Sequence, residues 1–121
     1  ELAPQDCLNQ VMAMKPQLVK KYLGLKIEDS AIVAAVVVAE ILQHQRSTIG
    51  VVLDLIEQGA AEARLQKSEV LEVNESIRGA LTCQMAPAGT TQENLMEKYQ
   101  QKLAKLGLKV ADPGEEGNNV L

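Results

Sequence analysis

Ala31-Ile32-Val33-Ala34-Ala35-Val36-Val37-Val38-Ala39 runs for nine residues without a polar side chain, and its conformation decides the fold. Ile and Val favour pleated surfaces, which makes a β-strand the rival assignment. Three features favour a helix: the alanines, the acids and serine of Glu28-Asp29-Ser30 at its start, and the Glu40-Ile41-Leu42-Gln43 continuation. The spacing therefore predicts a helix from about 31 to 45. A helix that is apolar on every face must be surrounded, so it is expected at the centre of the domain or of an oligomer. The run is far short of the roughly 20 residues a membrane span needs.

Outward from that centre the pattern stays helical. On the N-terminal side, Pro4 suits a first helical turn, and Leu8, Val11, Met12, Leu18, Val19, Tyr22 and Leu23 recur at three- and four-residue steps. Pro16 divides them into helices near 4–14 and 16–23, with Gly24 as a left-handed stop. On the C-terminal side, Ile49, Val52, Leu53, Ile56, Ala60 and Ala63 share one face. Val70, Leu71, Val73, Ile77 and Leu81 follow, with Ser68 as a possible cap; one bent helix or two separate ones fit this spacing equally. Thr90 and Glu93 form a capping box for a last helix bearing Leu95, Met96, Tyr99, Leu103 and Leu106 and stopped by Gly107.

The expected fold is all-α: an irregular bundle of about five or six helices in a single domain over 1–110. Residues 111–121, rich in Asp, Pro, Gly, Glu and Asn, are expected to form a disordered C-terminal tail. No internal repeat or second domain is legible.

Composition narrows function mainly by exclusion. The chain has 121 residues, no Trp, no Phe, one His and two Cys. A multi-His metal cage, a zinc ribbon, an aromatic nucleic-acid platform and a disulfide-dense scaffold are thereby ruled out. No phosphate loop, dinucleotide fingerprint, nucleophile elbow or zinc-protease motif is present, so no cofactor or metal is expected. The net charge of −4 disfavours polyanionic partners. Acids gather in the middle, and lysines toward both ends at Lys15, Lys20, Lys21 and Lys26 and again at Lys98, Lys102, Lys105 and Lys109. Such a dipolar layout suits protein partners or self-association. Two cysteines do not fix a redox compartment: Cys7 and Cys83 fit two reduced, buried thiols better than the bond an oxidising compartment would allow, and a cytoplasmic location is slightly favoured over a secreted one. The start at Glu1 rather than Met suggests a processed chain.

These features point to a non-enzymatic interaction domain, acting as an adaptor or in oligomerisation. The candidate contact residues are Val36, Val37, Ile41, Ile49, Val52 and Ile56, which form an apolar groove for a helical partner or a second copy in a homodimer. Two alternatives remain. Lys98, Lys102, Lys105 and Lys109 form a narrow file on one helix face that could meet phosphates, as in a nucleic-acid accessory protein. A small Cys-dependent enzyme would need Cys7 or Cys83 as nucleophile and His44 as base.

Overall fold

The computed structural model describes residues 3–42, 48–82 and 87–110. Among these residues six helices, α1 (Pro4–Ala13), α2 (Lys15–Lys21), α3 (Asp29–Leu42), α4 (Thr48–Leu65), α5 (Val73–Thr82) and α6 (Gln92–Leu106), form an irregular all-α bundle. Two strands of two residues each, β1 (Lys26–Ile27) and β2 (Val70–Leu71), pair in parallel. The expected tail at 111–121, His44 and Cys83 lie outside the described residues.

The central apolar stretch is helical. Every residue from Ala31 to Ala39 is at most 9% exposed, enclosed by α1, α4, α5 and α6. Each fully buried Val or Ile here contributes about 1.5–3 kcal/mol. The cover consists of small and branched side chains, among them Leu8, Val11, Leu55, Ile56, Ile77 and Leu95. A wide aromatic is not needed because the helices approach closely. Gly59 on α4 and Gly79 on α5 lie where those helices cross, and a Cβ on Gly79 would stand 2.9 Å from the Gly59 amide nitrogen. The Ser76 hydroxyl donates to the Ala31 carbonyl at 2.9 Å, joining α5 to the first turn of α3.

Three local expectations need correction. Val70 and Leu71 do not belong to a helix; they form β2 beside β1, and α4 and α5 are separate helices. Ser68 does not cap α5, because its hydroxyl is occupied by the Val70 backbone. The α5 start is held by the Glu75 carboxylate, which accepts from the Glu72 amide at 2.8 Å. The α6 cap falls at Thr91 rather than Thr90, with Thr91 Oγ1 accepting from the Asn94 amide at 3.1 Å.

The strands expose a structural repeat that the sequence conceals. α2 and α4 end in the same way, on residues with left-handed backbone, Leu23 (φ 60°) and Lys67 (φ 58°). In each, the next residue's amide reaches back five positions, Gly24 to the Val19 carbonyl and Ser68 to the Ala63 carbonyl. A strand and then a helix follow at one constant offset, pairing Lys26 with Val70 and Ile27 with Leu71. The bundle thus contains two helix–strand–helix units joined through their strands.

Candidate functional site

The structure disperses the residues singled out in the sequence. Val36, Val37, Val52 and Ile56 are fully buried in the chain's own core, and Ile41 and Ile49 are half-buried against it. The four buried side chains present no surface to a partner. The groove expected along α3 and α4 is filled by the other helices of the same chain. Gly59 admits a close approach within the chain, to α5.

Lys98, Lys105 and Lys109 are exposed and Lys102 is half-buried, along α6 and its C-terminal extension. Among the described residues, no carboxylate pairs with any of the four. Lys98 and Lys102 stand four positions apart on the helix, and like charges at that spacing repel by a few tenths of a kcal/mol. The extension is fastened to α1 by a reciprocal pair: the Lys109 amide donates to Gln5 Oε1 and Gln5 Nε2 donates to the Lys109 carbonyl, both at 2.9 Å.

Cys7 is a buried free thiol, and burial first, then the charge of Glu40, pushes its pKa up. That shift disfavours the thiolate a nucleophile requires. Among the described residues, no group of His, Cys, Asp and Glu could hold a metal ion, and no buried side-chain nitrogen or oxygen lacks a partner. No helix among them is long and apolar enough to cross a membrane.

A different surface stands out at the strand end of the bundle. Leu23 is 85% exposed and Leu65 78%, each at the end of a helix leading into the strands. Leu23 is also the residue in the left-handed conformation, which costs a non-glycine residue about 1–2 kcal/mol. Gly24 directly follows it with φ 85°. Neither solubility nor local backbone energy favours a leucine at that position.

Beside Leu23 an open cleft of about 570 Å³ is walled by Tyr22, Lys26, Arg64, Glu69 and Val70. The Tyr22 ring is buried beneath it, and the Lys21 ammonium lies 5.6 Å from the ring centroid. Burial first, then Glu57, raises the Tyr22 hydroxyl's pKa, and the Arg64 charge opposes the rise. Lys20, Lys21, Lys26, Arg64 and Lys67 are all exposed around this end. Of the acids nearby, Glu28 is engaged by Lys26 at 3.6 Å, Glu69 lies on the cleft rim, and Glu57 and Asp54 of α4 act on the Tyr22 hydroxyl.

Sequence reasoning missed this surface because Leu23 continues the apolar spacing of Leu18, Val19 and Tyr22 and reads as a core residue. The adjacent Gly24 marked a turn, but nothing local placed the left-handed residue one position earlier. No known protein family, curated protein or solved structure gives a significant match to this chain.

Proposed function

We propose that this chain is a non-enzymatic protein-interaction domain that contacts its partner through the strand end of the bundle. The observation that carries this reading is Leu23: a large apolar side chain, almost wholly in water, held in a backbone conformation that disfavours it. Covering a fully exposed leucine contributes about 1.5–3 kcal/mol, so a partner can recover what the isolated fold gives up. The cleft that Leu23 lines with Tyr22 extends the same surface, and Leu65 is exposed at the end of α4 that leads into β2. The rest of the described chain supports a scaffold role, with α3 buried within one copy and no buried side-chain nitrogen or oxygen among the described residues left without a partner. Because α3 is enclosed by its own chain, the demand for a covering second copy falls away.

The test is site-specific photo-cross-linking from position 23 in an extract of the source cells. The expected result is a discrete adduct that excess parent chain competes away and excess Leu23→Gly chain does not. Equal competition by both chains, or no adduct from position 23, overturns the reading.

A second reading rests on the α6 lysines, with which no described carboxylate forms an ion pair. They suit a polyanion, in an accessory role beside nucleic acid. Retention on a phosphocellulose column that falls steeply with salt, and is lost in Lys98→Glu/Lys105→Glu, would favour it over the first.

A further inference from the structure

We infer that the strand-end surface takes a short acidic peptide segment that places an apolar side chain beside Leu23. The inference rests on the proposal that this surface is where the partner docks, and adds the chemistry of the partner.

Charge complementarity sets the sign. Lys26 and Arg64 line the cleft, Lys21 lies over the Tyr22 ring, and Lys20 and Lys67 are exposed on the adjoining helix ends. Among the described acids, Glu69 on the rim, Glu28, already held by Lys26, and Glu57 and Asp54 of α4, which act on the Tyr22 hydroxyl, oppose them. The cations come from both halves of the structural repeat: Lys20, Lys21 and Lys26 from α2 and β1, Arg64 and Lys67 from the end of α4. The apolar part of the footprint is Leu23 and Leu65 with the cleft wall of Tyr22 and Val70.

The size and overall charge of the chain select a short segment over an extended polyanion. The net charge is −4, and nine acids against three bases lie between Glu28 and Glu75, so a nucleic acid or an anionic membrane meets repulsion beyond the local cations. A peptide of a few residues feels mainly those cations, since screening confines exposed charges to about 8–10 Å at ordinary salt. One apolar residue entering the cleft would fix the register, and flanking carboxylates would meet the cations on either side.

The experiment is a titration of the isotope-labelled chain with blocked peptides, followed by amide chemical shifts. One peptide has a central Leu flanked by Glu; its controls replace the Glu by Ser, the Glu by Lys, or the Leu by Ser. The Glu–Leu peptide is expected to move the amides of 22–26 and 64–70, to bind at least about threefold tighter than the Ser-flanked control, and to weaken as salt rises. Glu69→Gln is expected to tighten it and Arg64→Glu to abolish it, with both free variants keeping the parent's dispersed spectrum. If the Ser- or Lys-flanked peptide binds the same amides as tightly, the acidic-partner inference fails and the docking surface stands. If no peptide moves those amides, or if shifts fall only on the α6 lysines, both fail. Binding to phosphatidylserine vesicles through the same amides, without peptide binding, overturns the peptide inference in favour of a lipid surface.

Discussion

A methyl group added to Gly79 would stand 2.9 Å from the backbone nitrogen of Gly59 and 3.1 Å from Gln58 Cβ. These atoms belong to α4 itself, so the α4–α5 crossing depends on Gly79 lacking a side chain. A Cβ on Gly59 is less constrained, because its nearest obstacle is the flexible end of Leu71, also at 2.9 Å, and the Glu75 carbonyl follows at 3.3 Å. Alanine adds about 1 kcal/mol of helix propensity at either site, and overpacking costs about 1–3 kcal/mol. Gly79→Ala should therefore destabilise by up to about 2 kcal/mol, and Gly59→Ala by clearly less. Urea unfolding of the two variants gives the order directly; equal costs would contradict this account of the crossing.

Enclosure of α3 within one chain predicts its assembly state. Sedimentation equilibrium should report the single-chain mass of 13.1 kDa across a wide concentration range. Val36→Asp should unfold the chain, because it places an unpaired charge at a fully buried position. A heavier species that Val36→Asp dissociates into folded, helical single chains would return α3 to a dimer interface.

Three buried groups set an alkaline limit. Burial raises the pKa of the Cys7 thiol and of the Tyr22 and Tyr99 hydroxyls above their ordinary ranges. A folded-state value above the unfolded one means that the native state binds more protons between the two. Their stabilisation is therefore complete below the unfolded values, about 8.5 for the thiol and about 10 for the phenols, and is lost as pH rises through the folded values. Unfolding midpoints should fall with pH above about 8.5 and more steeply past about 10, and Tyr99→Phe should flatten the later fall. A midpoint that stays level up to pH ~11 would contradict the assignment.

Gln5 controls the segment after α6. Removing its amide in Gln5→Ala deletes both hydrogen bonds to Lys109, so the Lys109 amide should exchange with solvent at least about tenfold faster while α3 amides keep their protection. Unchanged exchange at Lys109 would show that the segment is held by the packing of Leu108 and Val110 instead.

Most helices were legible because they carry their own local evidence, with Pro4 and Pro16 at helix starts, three- and four-residue apolar spacing, and Gly107 at the α6 stop; the start of α5 and its separation from α4 were not, because the apolar spacing runs on through Val70 and Leu71. The strands were not legible. Lys26-Ile27 and Val70-Leu71 are too short to show alternation, and they pair only because two distant helix ends bring them together. The repeat escaped for a related reason: it resides in backbone geometry, with Leu23 matched to Lys67, residues that share no side-chain chemistry. Lys98, Lys102 and Lys105 of the expected lysine file could be read because a helix converts spacing into a face; Lys109 does not belong to that face, because α6 stops at Gly107 in the left-handed conformation and Lys109 lies in the extension beyond it. The strand-end surface could not be read, since its residues come from two helix ends and both strands. Exposure of Leu23 follows from how α2 terminates, not from the residues around it.

The most direct measurement is the stability of Leu23→Gly. If Leu23 is kept for a partner and not for the fold, glycine at its left-handed position should leave the unfolding midpoint unchanged or raise it. The gain would reach about 0.5–1 kcal/mol, with relief of backbone strain offset in part by the freer unfolded chain. Lys67→Gly, at the matching position, should behave alike and calibrates the backbone effect. A midpoint for Leu23→Gly lowered by about 1 kcal/mol or more, with Lys67→Gly neutral or stabilising, would show that the Leu23 side chain supports the fold, and would contradict its assignment as a contact residue.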